Sequence, residues 1–150
     1  MGLRRDGRVV AVQLLYELDT RADLAAVELV IDQYFAHHGA AADPAVRSFA
    51  EQLCRGVVAR HAEIDTLIER ASPNWRVARM SRVDRNVLRV ATFELLSASA
   101  EAPPEVVLDE AVAIGKSYGS SESRAFINGV LDRLLHALPG HGDRPSSATR

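Results

Sequence analysis

Apolar residues recur at helical spacing along almost the whole of this chain and nowhere alternate with polar ones. That property alone removes every fold that needs a sheet. The pattern is cleanest over Val46, Phe49, Ala50, Leu53, Cys54, Val57, Val58 and His61. A period of 3.6 residues places this set on one face of a helix, and such a face is stable only when other helices cover it. Asp43-Pro44 in front of it supplies a capping carboxylate and a proline at the first helical position. Ile64, Leu67, Ile68 and Ala71 continue the stripe after a shift of phase, so a break or kink is expected near Ala62.

The remaining segments repeat the pattern. Val9, Val12, Leu15 and Tyr16, with Leu18 as a further candidate, mark a first helix from Arg4 to Thr20. Asp23 is placed to cap a second, carrying Val27, Val30, Ile31, Tyr34 and Phe35 and ending at His37-His38-Gly39. Beyond Ser72-Pro73-Asn74, the residues Trp75, Val77 and Met80 read as a short turn that plugs the core. Ser81, with Asp84 three residues on, forms an approximate capping box. The helix it opens is apolar almost all round, through Val83, Val87, Leu88, Val90, Ala91, Phe93, Leu95 and Leu96, and is expected at the centre. Pro103-Pro104 begins another helix with Val107, Ala111, Val112 and Ile114, for which Gly119 is the expected left-handed C-cap. Ser120 or Ser121 then caps a last helix whose stripe runs through Phe126, Ile127, Val130, Leu131, Leu134 and Leu135. A glycine inside that helix, Gly129, costs about 1 kcal/mol and is read as allowing a close helix approach. The expectation is an all-α, single-domain helical bundle of about seven helices, with residues 1–138 as the folded domain and the Gly/Pro/Ser-rich 139–150 as a disordered tail.

Length and composition agree with one globular domain: 150 residues, 47% apolar and 25% charged. No apolar run approaches the roughly 18 residues a membrane span requires, and the first residues show no signal-peptide core, so a cytoplasmic protein is expected. Net charge is only −2, but its distribution is uneven. Arg4, Arg5 and Arg8 face only Asp6 near the N-terminus. Between 70 and 89, Arg70, Arg76, Arg79, Arg82, Arg85 and Arg89 face only Asp84, whereas Glu101, Glu105, Asp109 and Glu110 form an acidic stretch. Lys116 is the sole lysine, and arginine suits phosphate and base stacking better than lysine does. Arginines at a helix start oppose the macrodipole, which makes the N-terminal group read as a flexible anion-binding arm.

Reaction chemistry is not legible. Gly115-Lys116-Ser117 imitates the end of a phosphate-binding loop, but Glu110 stands where a glycine is needed and no strand precedes it. His61 with Asp65, and Asp132 with His136, are helical pairs without a third ligand, and a lone Cys54 sits on an apolar stripe. No nucleophile elbow surrounds a serine. No catalytic residue, metal site or cofactor is assigned, and no enzyme is expected.

Four blocks, in order and at consistent spacing, carry a family resemblance over roughly Arg4 to Leu138: RRDGRVVAVQLLYELD, RVDRNVLRVATFELL, APPEVVLDEAVAIGKSYG and SRAFINGVLDRLL. Together they resemble the NusB transcription antitermination family. The resemblance implies an all-helical fold without catalysis. It also implies binding of the boxA element of ribosomal RNA leader transcripts as a heterodimer with the ribosomal protein NusE. Other Nus factors and RNA polymerase complete the assembly in that family. By the same resemblance, Arg4, Arg5, Arg8, Tyr16, Lys116, Tyr118 and Phe126 match RNA-facing positions, while Asp84, Arg85 and Arg82 match the partner-facing surface. Asp6 departs from a motif that is commonly basic there, and Glu122 stands where an acidic residue is frequent.

The chemistry of these residues fits that expectation, since unpaired bases stack on aromatic rings while basic groups hold the backbone. Phe126 has a second reading as a core residue, because Ile127 and Val130 continue its stripe. Arg76 and Arg79 fit either surface. A related helical domain also precedes certain RNA cytosine-5 methyltransferases, although this chain shows no glycine-rich cofactor loop or catalytic cysteine motif. A surface left without its partner can also self-associate into a homodimer.

Overall fold

The computed structural model describes residues 2–38, 43–97 and 102–139. Over these the chain forms α1 (Leu3–Arg21), α2 (Val27–His38), α3 (Pro44–Ala59), α4 (His61–Ala71), α5 (Arg82–Leu96), α6 (Pro104–Tyr118) and α7 (Ser123–Ala137). Short 3₁₀ turns at Leu24–Ala26 and Val77–Arg79 precede α2 and α5. No strand occurs among the described residues. The tail expected at 139–150 falls, beyond Pro139, outside them.

Helix α5 is the axis of the bundle. It packs against α1, α3, α4, α6 and α7, while α1 lies along α3 and α6 lies along α7. Its inward face carries Val87, Leu88, Val90 and Ala91. Around these close Leu14 and Leu18 of α1, Leu53 and Val57 of α3, Ile64 and Ile68 of α4, and Ile127 and Leu131 of α7, all almost fully buried. Each such aliphatic side chain contributes about 1.5–3 kcal/mol of transfer free energy. Most of the periodic stripe residues are thus core, although His61 and Tyr16 lie at the surface and Leu14 joins the core from outside the stripes.

Several local expectations hold and others are corrected. Asp43 Oδ1 accepts the Ala45 N–H at 2.7 Å, and Ser81 Oγ accepts the Asp84 N–H at 3.1 Å, as caps should. The break between α3 and α4 falls at Arg60, just ahead of Ala62, and His61 opens α4 on the surface instead of closing the α3 stripe. Asp23 caps the 3₁₀ turn in front of α2, not α2 itself. Trp75 does not plug the core: Val77 and Met80 are buried, but the indole is 53% exposed. Gly119 is not left-handed, with φ at −99°. A glycine is needed there because a Cβ would run into Ser123 Oγ and the Gly115 carbonyl. The left-handed residue is Ala22, φ 54°, which ends α1. Gly129 makes no close approach, since a Cβ there would meet only the outer atoms of Arg133. The tight α6–α7 crossing is at Gly115, against Ile127.

Candidate nucleic-acid and partner interface

The start of α1 is a helix with its arginines already engaged, not a flexible basic arm. Arg8 is buried, and its Nε and Nη2 donate to the Glu94 carboxylate of α5 at 2.8 and 2.9 Å. Arg5 donates to both oxygens of Glu110 on α6, at 2.8 and 2.6 Å. The Arg5 hydrogen bond and its charge hold the Glu110 carboxyl below its usual range. Arg8 approaches the same carboxylate at 3.7 Å. Arg4 is exposed, with its guanidinium 4.3 Å above the Phe49 ring. Arg5 and Arg8 therefore tie α1 to α5 and α6, and Arg4 is the member of the trio that faces solvent. The unfavourable macrodipole position is offset by carboxylates distant in sequence, so no external anion is needed to explain it.

Further along α1, a groove opens between α1, the first turn of α5 and the end of α6. Val9, Val12, Gln13 and Tyr16 from α1, Val83 from α5, and Ile114 and Tyr118 from α6 surround a cavity of about 210 Å³. Both tyrosines are exposed at its mouth, Tyr16 by 42% and Tyr118 by 54%. Aliphatic floors beneath aromatic rims are what a flat ligand needs. Lys116 is exposed in the same last turn of α6. Of the residues expected to face RNA, the fold thus gathers Tyr16 and Tyr118 at one groove and leaves Lys116 near it. Phe126, in the first turn of α7, is half-buried and packed on the core.

The expected partner-facing residues also divide. Asp84 is buried, and its Oδ1 accepts the Ser123 hydroxyl at 2.6 Å. Ser123 Oγ in turn accepts the Ser120 N–H at 2.9 Å. Asp84 therefore fixes the Gly119–Glu122 turn to α5, and neither Ser120 nor Ser121 caps α7, whose N-cap is Glu122 without a side-chain bond. Arg85 donates to Asp19 at 2.6 and 2.8 Å and reaches the carbonyls of Val77, Ala78 and Met80. Its guanidinium is spent inside the protein. Arg82 alone of the three is exposed.

The groove floor was missed at the sequence level. Val9, Val12 and Ile114 belong to ordinary helical stripes, and nothing local tells a groove-lining valine from a core one. Only the pairing of Tyr16 with Tyr118 across helices far apart in sequence picks them out. The histidine pairs hold no site: Asp65 is taken by Arg89, and His136 Nδ1 sits 2.8 Å from the Asp132 carbonyl. Among the described residues no group of His, Cys, Asp or Glu is arranged to hold a metal ion. No described helix is long and apolar enough to cross a membrane.

Comparison with known proteins bears on this arrangement. Residues 5–136 match the model of the NusB family. The transcription antitermination protein NusB of Geobacter sulfurreducens is 47% identical over 144 residues, covering 95% of this chain and 100% of that protein. The Myxococcus xanthus protein of the same name is 46% identical, over 92% and 98% of the two chains. Among solved structures, T. maritima NusB superposes with a TM-score of 0.73 at 36% identity, covering 87% of this chain and 89% of that one. A chain from a complex of the antitermination factors NusB and NusE with double-stranded RNA superposes at 0.78 with 26% identity, over 92% and 99%.

Proposed function

Because this chain belongs to the NusB family, we propose that it is a non-catalytic transcription antitermination factor. It holds the boxA element of ribosomal RNA leader transcripts together with the ribosomal protein NusE, in the cytoplasm, as one folded unit over residues 1–138. The observation that carries this reading is the groove rimmed by Tyr16 and Tyr118 over a floor of Val9, Val12, Val83 and Ile114. Two accessible rings on a rigid frame suit unpaired bases, and Lys116 supplies a mobile cation for the adjoining phosphate. Likeness to a chain solved with NusE and RNA supports both partners. Arg4 adds a second cation on α1. Arg5 and Arg8 serve by holding α1 in place, and Phe126 by backing the turn. On the protein side Arg82 is the contact residue, and Asp84 and Arg85 position the turn and the connection beside it.

A gel shift with a boxA strand and a scrambled strand, each with and without NusE, tests this reading. Binding should be sequence-selective and strengthened by NusE. Tyr118→Ala should weaken it by roughly tenfold, the worth of one stacked base, with the helical signal unchanged because the ring is exposed. Lys116→Ala should make the salt slope shallower by about 0.7. Equal affinity for both strands, indifferent to NusE, would reject it.

A further inference from the structure

Among the described residues, more than half of the arginines spend their guanidinium on a carboxylate, as Arg8, Arg55 and Arg89 do. Arg70, Arg76 and Arg79 do not: each is exposed, and none of their guanidiniums has a hydrogen-bond or ion-pair partner among the described residues. They flank the most conspicuous exposed ring after Tyr118, that of Trp75. The carboxylate nearest in sequence is already used, since Glu69 Oε2 accepts the Val77 N–H at 2.9 Å.

The backbone under this patch is firmly held. The Trp75 N–H donates to the Ser72 carbonyl at 2.9 Å, Arg133 Nε donates to the Ala71 carbonyl at 2.6 Å, and Arg85 lies beneath the carbonyls of Val77, Ala78 and Met80. The Arg79 N–H donates to the Arg76 carbonyl at 2.9 Å, closing a 3₁₀ turn. Val77 and Met80 turn into the core, while Arg76 and Arg79 are exposed on either side of Val77. A held turn thus carries the exposed Trp75, Arg76 and Arg79 close together in sequence, with Arg70 in the last turn of α4.

We propose that the α4–α5 connection is a second foothold for single-stranded RNA, with Trp75 stacking a base and Arg76, Arg79 and Arg70 holding phosphates. An acidic protein segment would satisfy the guanidiniums but offers the indole no flat face, whereas a nucleotide satisfies both. The connection leads through Arg82 to Val83, which lines the tyrosine groove. The proposal extends the RNA-binding reading of that groove and rests on it.

Trp75 is the sole tryptophan of the chain, so its fluorescence reports this surface and no other. The full-length protein is titrated with a mixed-sequence single-stranded RNA of roughly a dozen nucleotides, and separately with polyglutamate. RNA should quench the emission saturably, and salt should restore it. Arg76→Ala with Arg79→Ala should weaken the quench about tenfold and reduce the salt slope by about 1.4. Emission that stays constant while the gel shift shows bound RNA overturns the foothold and leaves the groove standing. A quench that survives in Tyr118→Ala, with boxA selectivity lost in the native protein, retains the foothold and removes the groove. An equal quench by polyglutamate assigns the patch to acidic protein and overturns the proposal.

Discussion

Arg8 shows how far a residue's role depends on what it meets. At the sequence level it is one of three basic residues near a chain start; in the fold it is a buried guanidinium paired in fork geometry with Glu94. Removing one partner of a buried ion pair leaves the other charged and unsolvated, at a cost of about 3–5 kcal/mol. Arg8→Ala is therefore expected to lower the urea midpoint strongly. Arg4→Ala, which loses an exposed guanidinium over Phe49, should cost roughly 1 kcal/mol or less. Equal effects in urea denaturation would contradict the assignment of Arg8 to the interior. Cys54 belongs to the same scale: burial pushes its thiol up to about 12, which fits packing in the α3 stripe and not a nucleophile.

At the scale of elements, the sequence announces helices well and the joins between them poorly. Asp43-Pro44 and Ser81 act where their chemistry says they should, because a cap is decided within a few residues. Gly119 and Trp75 depart from the sequence expectation because each answers to a neighbouring element, and Gly129 departs from it because nothing but its own helix approaches it. Gly119 makes room for Ser123, while Trp75 is left outside by a turn that Arg85 and Glu69 hold shut. The joins also carry charge. Asp19 of α1 receives Arg85, Asn86 and Arg89 of α5, and Arg89 reaches on to Asp65 of α4. Burial pushes the Asp19 carboxyl up, but the Arg85 hydrogen bond and the charges of Arg85 and Arg89 outweigh it and hold it below its usual 3.8. A depressed carboxyl stabilises the fold above its unfolded value, and the contribution disappears as pH falls through the folded value. Asp19→Asn should thus be less stable by roughly 1–3 kcal/mol at neutral pH. The two proteins should converge in stability as pH drops below about 4. Parallel stability–pH curves would show that Asp19 is not the group responsible.

For the whole molecule, the groove and the α4–α5 connection both adjoin the start of α5, the helix against which α1, α3, α4, α6 and α7 pack. A ligand seated on that helix and its neighbours stabilises the bundle by mass action, because an unfolded chain offers no groove. With boxA RNA and NusE present at about a hundred times the dissociation constant, the gain is about 2.7 kcal/mol. The melting temperature should rise accordingly and track ligand concentration. Tyr118→Ala should lose most of that rise without changing the melting temperature of the free protein, since its ring is exposed.

The sequence by itself determined the all-helical class, the run of seven helices and nearly all of the core. Helical periodicity and capping are short-range properties, and burial follows from them once helices must cover one another's stripes. It also carried the family resemblance, through four blocks that keep their order and spacing. Only the tertiary structure decided which cations remain available and which aromatics stand together. Arg5, Arg8, Asp84 and Arg85 looked like surface charges until partners some dozens of residues away consumed them. Tyr16 and Tyr118 became one groove, and Arg70, Arg76 and Arg79 were left unpaired, for the same physical reason: a charge or a ring is free or spent according to what the packed helices bring within a few ångströms of it.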